Sequence, residues 1–585
     1  MNKPLKYGLL GLLTLVLVAI AGAVVFAVTF DPNRYKDDIE RLAKEKTGRT
    51  LSIKGPIKMA FWPSVGADVA GVRFSERNSN QDFVSFESAH ASVKLMPLLR
   101  GQYVVDSVRL SGFNARIVKG KDGRFNFADL TEGEAQKPAA QKKPAETKTD
   151  GPVVFDIGNV NIERASIVYT DLQAGQEYTL QDVKLKTGRI AQDAEGKLEF
   201  ATVAKRKTPP LEARLSMDGK YKLLQGKLSA EVNAKLDDSD IKLKFTLAEP
   251  YEFEASIDKI NFDRYLGAPE KPAPAAAKQE TPQKTAKQED TPVDLSALKG
   301  INAKGKLQVG ALEVRGLKLA DVSAQIDAAN GRVAVAPHAA KGYEGTMSGE
   351  VVVDANRNHI TLKEKFENVA VGPILRDFAE QDRLEGKGNL TIDVTAAGAT
   401  VNAMKRALSG TAKVQLRDGS IKGINLAEII RKGRSMLGGG GSQSAAQGQS
   451  AGDKTQKTDF SELNASFAIK NGVAHNEDLD AKSPLFRLGG AGDINIPESS
   501  LNYLAKASIV ATAEGQGGRE RDQLAGVTVP VRLSGTFDDL KYEVDFRSMA
   551  GAAAKSQVGE KIKERLGERL KDEKIQDRLK GLLGR

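Results

Sequence analysis

Four histidines, His90, His338, His359 and His475, are the side chains of this 585-residue chain best suited to carry a proton near neutral pH. They stand far apart, and no pair has the spacing of a metal site. His359 lies beside Asn358 and alternates with Ile360, which reads as a solvated strand position. The chain has no cysteine. That excludes a zinc-thiolate site, a thiol nucleophile, a disulfide scaffold and a lipid-modified N-terminal cysteine. No G-x-S-x-G elbow, P-loop, H-E-x-x-H or dinucleotide fingerprint occurs. The run Gly438 to Gly441 lacks a following Lys-Ser/Thr and reads as a linker. Carboxylates are numerous and evenly spread, and a glycosidase-type pair would be invisible in one sequence. The chain therefore reads as non-enzymatic, with no catalytic residue, no cofactor and no metal.

The charge balance also narrows the class. Eighty-six basic residues exceed 76 acidic ones, for a net charge of +10. The excess is spread along the chain apart from Lys-rich linkers and a basic tail. Nucleic-acid binding would want a clustered patch with interleaved aromatics. Aromatics make up only 6% of the residues, and Trp62 is the sole tryptophan. No nucleic-acid partner is expected.

Residues Tyr7 to Phe30, YGLLGLLTLVLVAIAGAVVFAVTF, form the one long apolar stretch without a charged side chain. As a helix rising about 1.5 Å per residue it would reach roughly 36 Å, enough to cross a hydrocarbon core of about 30 Å. A signal peptide is the rival reading: Lys3 and Lys6 give a basic start, and Ala19-Ile20-Ala21 resembles a cleavage site. The apolar run continues past Ala21, which a cleaved segment does not need, so a retained single-pass transmembrane helix is expected. Lys3 and Lys6 precede it and mixed charges follow it, from Asp31 to Glu40, which keeps the N-terminus cytoplasmic. Both readings send the rest of the chain out of the cytoplasm.

Three low-complexity segments break that remainder: 131–151 and 267–294, rich in Lys, Pro and Ala, and 438–459, rich in Gly, Ser and Gln. None has the apolar content to offset the entropy of ordering it. The expected organisation is an anchor (1–30), an N-terminal segment (31–130), two middle sheet segments (152–266 and 295–437), a C-terminal segment (460–550) and a basic tail (551–585).

Between the linkers the dominant period is two. Leu228, Ala230, Val232, Ala234 and Leu236 alternate with Ser229, Glu231, Asn233 and Lys235. Ile241, Leu243, Phe245 and Leu247 alternate with Lys242, Lys244 and Thr246, and Tyr251, Phe253, Ala255 and Ile257 continue the pattern. Such alternation places one strand face against apolar matter and the other in water. Turn signals recur at Asp122-Gly123, Asp218-Gly219, Asn330-Gly331, Asp418-Gly419 and Asn471-Gly472, which predicts antiparallel meanders.

Helices are few. Asp31 and Pro32 open one, with Tyr35, Ile39 and Leu42 on one face and Gly48 as its stop. Pro373 opens a second, with Ile374, Leu375 and Phe378 inward. Residues 401–408 and 425–436 suggest two short ones. From about Ala552 to the end, a narrow stripe through Val558, Ile562, Leu566 and Leu570 marks an amphipathic basic helix, read as a solvated cap rather than a membrane anchor.

So many one-sided strands with so few helices leave apolar surface without a partner. The sheet must close on itself, pair with another sheet, or stay open as a binding surface. The expected fold is mainly β: a long curved antiparallel sheet, a β-groove, after an N-terminal transmembrane helix.

Both ends of the chain resemble the AsmA family of bacterial envelope proteins. The N-terminal likeness lies in Thr47 to Ile57 (TGRTLSIKGPI), the FWPS turn at Phe61 to Ser64, the segment Met96 to Gly101 (MPLLRG) and DGRFNFADL at Asp122 to Leu130. The C-terminal likeness lies in ALSGTAKVQLRDGSIKGINLAEIIR, then LNASFAIKNGVAHNEDLDAKSPLFRLGGAGDINIPESSLNYLAKA, then LAGVTVPVRLSGTFDDLKYEVDF. Where that family often has Pro in the last motif, this chain has Asp539-Leu540. The middle matches only in strand pattern. The resemblance implies an inner-membrane anchor, a periplasmic body, and a start similar to the chorein segment of bridge-like lipid transfer proteins. It implies a conduit carrying phospholipid acyl chains along an apolar groove toward the outer membrane, in support of outer-membrane biogenesis. The expected lipid-facing positions are Leu228, Val232, Leu236, Ile241, Leu243, Phe245 and Leu247. Some 25 to 35 strands at about 4.8 Å each would extend on the order of 100 Å. The alternative is a non-enzymatic scaffold or assembly factor whose sheet edges serve outer-membrane proteins or other envelope partners.

Overall fold

The computed structural model describes residues 31–131, 156–266, 290–423, 456–484, 486–510, 528–537 and 539–544, with isolated positions between 425 and 451. The apolar segment Tyr7–Phe30, the stripe within 551–585 and most of the helix expected at 425–436 lie outside the described residues. Among the described residues no helix is long and apolar enough to cross a membrane. The described chain is mainly β, with 29 strands and a few short helices. It divides into two compact units, Met1–Lys271 and Pro272–Arg585, and the division falls inside the Pro/Ala/Lys-rich segment 267–294. That segment is shorter as a linker than its composition suggests. The Val293 amide donates to Ala399 O at 2.9 Å and the Val401 amide to Thr291 O at 3.0 Å.

The first unit starts with a 3-10 turn, Pro32–Tyr35, capped by Asp31, whose carboxylate accepts from the Asn33 amide. Helix α1 (Lys36–Thr47) follows and ends at Gly48 in the left-handed region, φ 68°. Tyr35, Ile39 and Leu42 share a stripe, as their spacing predicts, but the stripe is exposed and turned away from the sheet. The polar side of α1 faces the sheet instead, because the chain at 53–57 offers backbone groups that need partners. Glu40 accepts from the Ile53 amide at 2.6 Å, Lys36 donates to Gly55 O, and Asn33 exchanges two hydrogen bonds with Ile57.

Just past α1, Arg49 has no solvent access. Its guanidinium makes a two-pronged pair with Asp129, at 3.0 and 2.6 Å, donates to Ser75 O at 3.1 Å and Asn126 O at 2.6 Å, and lies over the Phe83 ring. This clamp joins two of the sequence segments that carry the family resemblance, TGR at 47–49 and FNFADL at 125–130. It also explains their composition: only a planar fork of donors meets a carboxylate and two carbonyls at once.

The sheet of this unit runs strand by strand from Leu51–Ile53 and Ile57–Ala60 to Tyr251–Asn261. The expectation of a wholly antiparallel sheet fails at one junction. Strands Val105–Ser111 and Asn114–Lys119 pair in parallel with Val160–Asp171. Parallel neighbours need a connection of a dozen or more residues, and here the Lys/Pro/Ala-rich segment lies between them in sequence. At its far end Asp156 is held by both prongs of Arg189, at 2.9 and 2.7 Å.

In the second unit every strand pairing is antiparallel among the described residues. The meander runs from Ala303–Val314 to Leu540–Val544. Asn330-Gly331 and Asn471-Gly472 form the two-residue turns expected of them, with φ positive at both positions. Asp218-Gly219, in the first unit, and Asp418-Gly419 do not turn. Gly219 sits mid-strand, where a Cβ would come within 2.3 Å of Glu231 O, so the glycine serves close strand approach. Asp418, φ 50°, marks an irregularity within the strand Ser409–Lys422. Helix α2 (Val371–Ala379) begins two residues before Pro373. Its Ile374 and Leu375 pack on the core as expected, while Phe378 points outward. Helix α3 (Val401–Ala407) is capped by Thr400.

The Arg49 clamp yields a first test. Arg49→Ala leaves Asp129, Ser75 O and Asn126 O without their partner, a loss of about 3 kcal/mol or more for a broken buried pair. The expected outcome is fast amide hydrogen exchange across strand Ser64–Ser75 while Tyr251–Asn261 stays protected. Arg49→Lys should not restore protection, because a single ammonium cannot replace the fork.

Candidate functional site: an apolar track across the sheet

Register decides what the alternation builds. In the first unit one transverse row passes through eleven strands: Ile57, Val69, Ala89, Leu110, Ile162, Leu185, Phe200, Met217, Ala234, Ile241 and Ile257, each paired with the next. Every member is apolar. The row beside it, on the other face, runs Lys58, Asp68, His90, Arg109, Asn161, Lys186, Glu199, Asp218, Asn233, Lys242 and Ser256 in the same register. Every member is polar. The parallel junction does not interrupt either row.

The seven expected positions all lie on the apolar face. Leu228 pairs with Leu247 and Val232 with Leu243; Leu236, Ile241 and Phe245 are in phase with them. Val232 is buried, Leu247 is exposed, and the others are half-buried. Around Val232, Tyr221 and Ala230 form a small buried cluster with Leu198 and Met217 at its margin. The eleven residues of the row are all half-buried, neither enclosed in a core nor fully open. On the opposite face Lys244 pairs with Glu231 at 3.0 Å and Lys235 with Asp240 at 3.6 Å, all well exposed.

The second unit handles the same pattern in two ways. A row from Ile326 through Val335, Val351 and Leu362 to Val394 is again apolar. Further along, the row Leu416, Leu463, Ala481, Leu488, Ala507 and Val529 is fully enclosed, with exposures from 0 to 6%. It forms a true core with Phe460, Phe486, Val531 and the inner side of α2.

One ionisable pair interrupts the apolar face of the second unit. His338 and Glu364 both pair with Gly349, from opposite sides. With no side chain at Gly349 to separate them, His338 Nε2 meets Glu364 Oε1 at 2.8 Å, and both are largely shielded from solvent. The Glu364 carboxylate raises the His338 pKa above its ordinary value, against an opposing effect of burial. His475 lies on the polar face between Asp493, at 2.7 Å, and Glu477, at 3.0 Å, whose carboxylates raise its pKa as well. His90 bonds Asp68 at 2.8 Å, and His359 is half-buried at a strand start. Among the described residues no three His, Asp or Glu side chains are placed to hold a metal ion.

Sequence reasoning found the middle of the track and missed its extent, since alternation in a strand says nothing about its neighbour. Glu364 was legible as an acid in phase with Leu362 and Phe366. His338 was not, because the register shifts between Val335 and His338.

The fold is that of a mainly β protein with one apolar sheet face left open, and sequence comparison gives its family. The AsmA family profile matches residues 1–229 and 229–479, and the chain belongs to the AsmA family. It is similar to Protein AsmA of Escherichia coli (strain K12), 22% identical over 586 residues that cover 91% of this chain and 92% of that protein. The family match runs through the middle segments, where motifs alone show only strand pattern. No solved structure matches the chain.

The His338–Glu364 pair has a signed pH dependence. A histidine pKa raised by folding contributes stability that is fully present below its unfolded value, near 6.5, and is lost as pH rises through the folded value. Glu364→Gln should therefore destabilise strand His359–Ala370 more at pH 6 than at pH 8.5. Hydrogen exchange of that strand measures it.

Proposed function

We propose that this chain is a membrane-anchored protein of the bacterial envelope that carries phospholipid along its apolar sheet face. The observation that supports the reading best is the unbroken row of eleven half-buried apolar side chains, from Ile57 to Ile257, with an all-polar row behind it. Ten steps of about 4.8 Å make a track on the order of 50 Å in the first unit alone. Moving an acyl chain into water costs about 0.8 kcal/mol per CH2, which makes free escape of a phospholipid slow. A continuous apolar surface removes most of that cost along the path, while headgroups stay in water at the rim. No step of this kind needs a catalytic group, a cofactor or a metal.

In this reading the segment Tyr7–Phe30 holds the chain in the inner membrane, with its N-terminus cytoplasmic and its body in the periplasm, and transport supports the outer membrane. Partners are the acyl chains, the inner membrane and an acceptor at the far end. A scaffold that recruits partners by strand edges is less favoured. At the last described strand, Leu540–Val544, the edge is already paired at Lys541 and Tyr542, with Ala451 and Ser450.

Photocrosslinking in living cells tests the reading. A crosslinking amino acid at Val232 or Leu243, on the apolar face, should capture phospholipid. The same residue at Lys235 or Lys244, on the polar face, should not. Absence of lipid at both sets, or equal capture at both, would contradict it.

A further inference from the structure

The three most exposed large apolar side chains among the described residues lie at one place. Tyr103, Leu99 and Trp62 are 73, 72 and 70% exposed, and Met96 is 56% exposed. They occupy two loops at one end of the first unit's sheet. The turn 61–63 precedes strand Ser64–Ser75, and the loop 95–104, which opens with the helical turn Leu95–Leu98, joins strand Asp82–Lys94 to strand Val105–Ser111. Ser64 pairs with Lys94, Val93 with Val105, and Ser64 Oγ bonds Asp106 at 2.8 Å, so the two loops stand side by side. The longer loop is not slack. The Gln102 amide donates to Pro97 O and the Lys94 amide to Val104 O, which hold the tip in shape with its large side chains outward.

An apolar tip of this size on a soluble face is an aggregation hazard unless something covers it. The chain itself indicates what does. The charge-free segment 7–30 ends at Phe30, and three residues later Asn33 is tied by two hydrogen bonds to Ile57. From Ile57 the strand Ile57–Ala60 runs directly to the turn at Trp62, a distance of about 16 Å at about 3.3 Å per residue. The composition fits a bilayer surface: one Trp and one Tyr, which favour the headgroup level, with Arg100 beside them and no acidic residue from Leu95 to Val104.

We propose that the tip formed by residues 61–63 and 95–104 is a second membrane contact, seated in the headgroup layer of the bilayer that holds the anchor. Its seating brings the end of the apolar face, where Met59 pairs with Ala67 and Ala67 with Ala91, against the membrane surface. The proposal rests on the anchoring part of that reading and not on lipid transfer, since a tip can sit in a bilayer whether or not lipid then moves.

Trp62 is the sole tryptophan, so its fluorescence reads the tip alone. The full chain is reconstituted into phosphatidylcholine/phosphatidylglycerol vesicles, with and without bromine high on the acyl chains. The expected result is blue-shifted emission, loss of intensity with bromolipid, and protection from aqueous iodide. Replacing Leu99→Asp and Tyr103→Asp together should return the emission to the red and admit iodide while the chain stays in the vesicle fraction. Emission of a hydrated indole, quenched by iodide and indifferent to bromolipid, would overturn the proposal. So would an unchanged Trp62 signal in the double variant.

Discussion

The structure depends on one constraint: the two-residue alternation stays in phase from strand to strand. A single strand with apolar residues at every second position has only a preference for a face. Eleven such strands paired in register make that preference a continuous surface, Ile57 to Ile257. A slip of one residue at a junction would bring polar residues such as Lys186 or Glu199 into the row. The pinned turns and bulges are therefore part of the surface. Gly219 lets two strands approach where a side chain would collide with the Glu231 carbonyl. The parallel junction keeps Leu110 opposite Ile162, although the chain needs a long detour to reach it.

The same alternation has two outcomes in one chain, and covering decides between them. In the C-terminal strands α2 and neighbouring apolar residues enclose the row from Leu416 to Val529, which becomes an ordinary core. In the first unit α1 turns its polar side to the sheet, its hydrogen bonds going to the chain at 53–57. The apolar face there stays half-open. Stability at that end is supplied instead by the buried Arg49 clamp, which ties the start of the sheet to residues 126 and 129. This division of labour leaves an apolar surface without unfolding the segment that presents it.

Much of this was legible in the sequence, and the limits have physical causes. The alternation of Leu228 to Leu236 and Ile241 to Leu247 identified the face, because period two is a property of one strand. The Asn-Gly turns were legible because both positions need positive φ, which asparagine and glycine tolerate. Asp218-Gly219 was misread because glycine serves close strand approach as well as turns. Phe378 was misjudged because helical spacing shows which residues share a face and not which face meets the sheet; for Tyr35, Ile39 and Leu42 the shared face was legible and its outward direction was not. The Arg49–Asp129 pair spans eighty positions in sequence, and spacing alone does not report such a contact.

The central claim is that lipid occupies the open apolar face, and lipid content read against a charge in that face tests it most directly. The full chain and a Phe200→Asp, Ile241→Asp variant would be purified mildly side by side, with circular dichroism to confirm the sheet in both. Bound phospholipid would then be counted by mass spectrometry. The account predicts several phospholipids per wild-type chain and a marked loss in the variant. Equal lipid in the two chains would mean that the lipid surrounds the anchor alone, and the account would be contradicted.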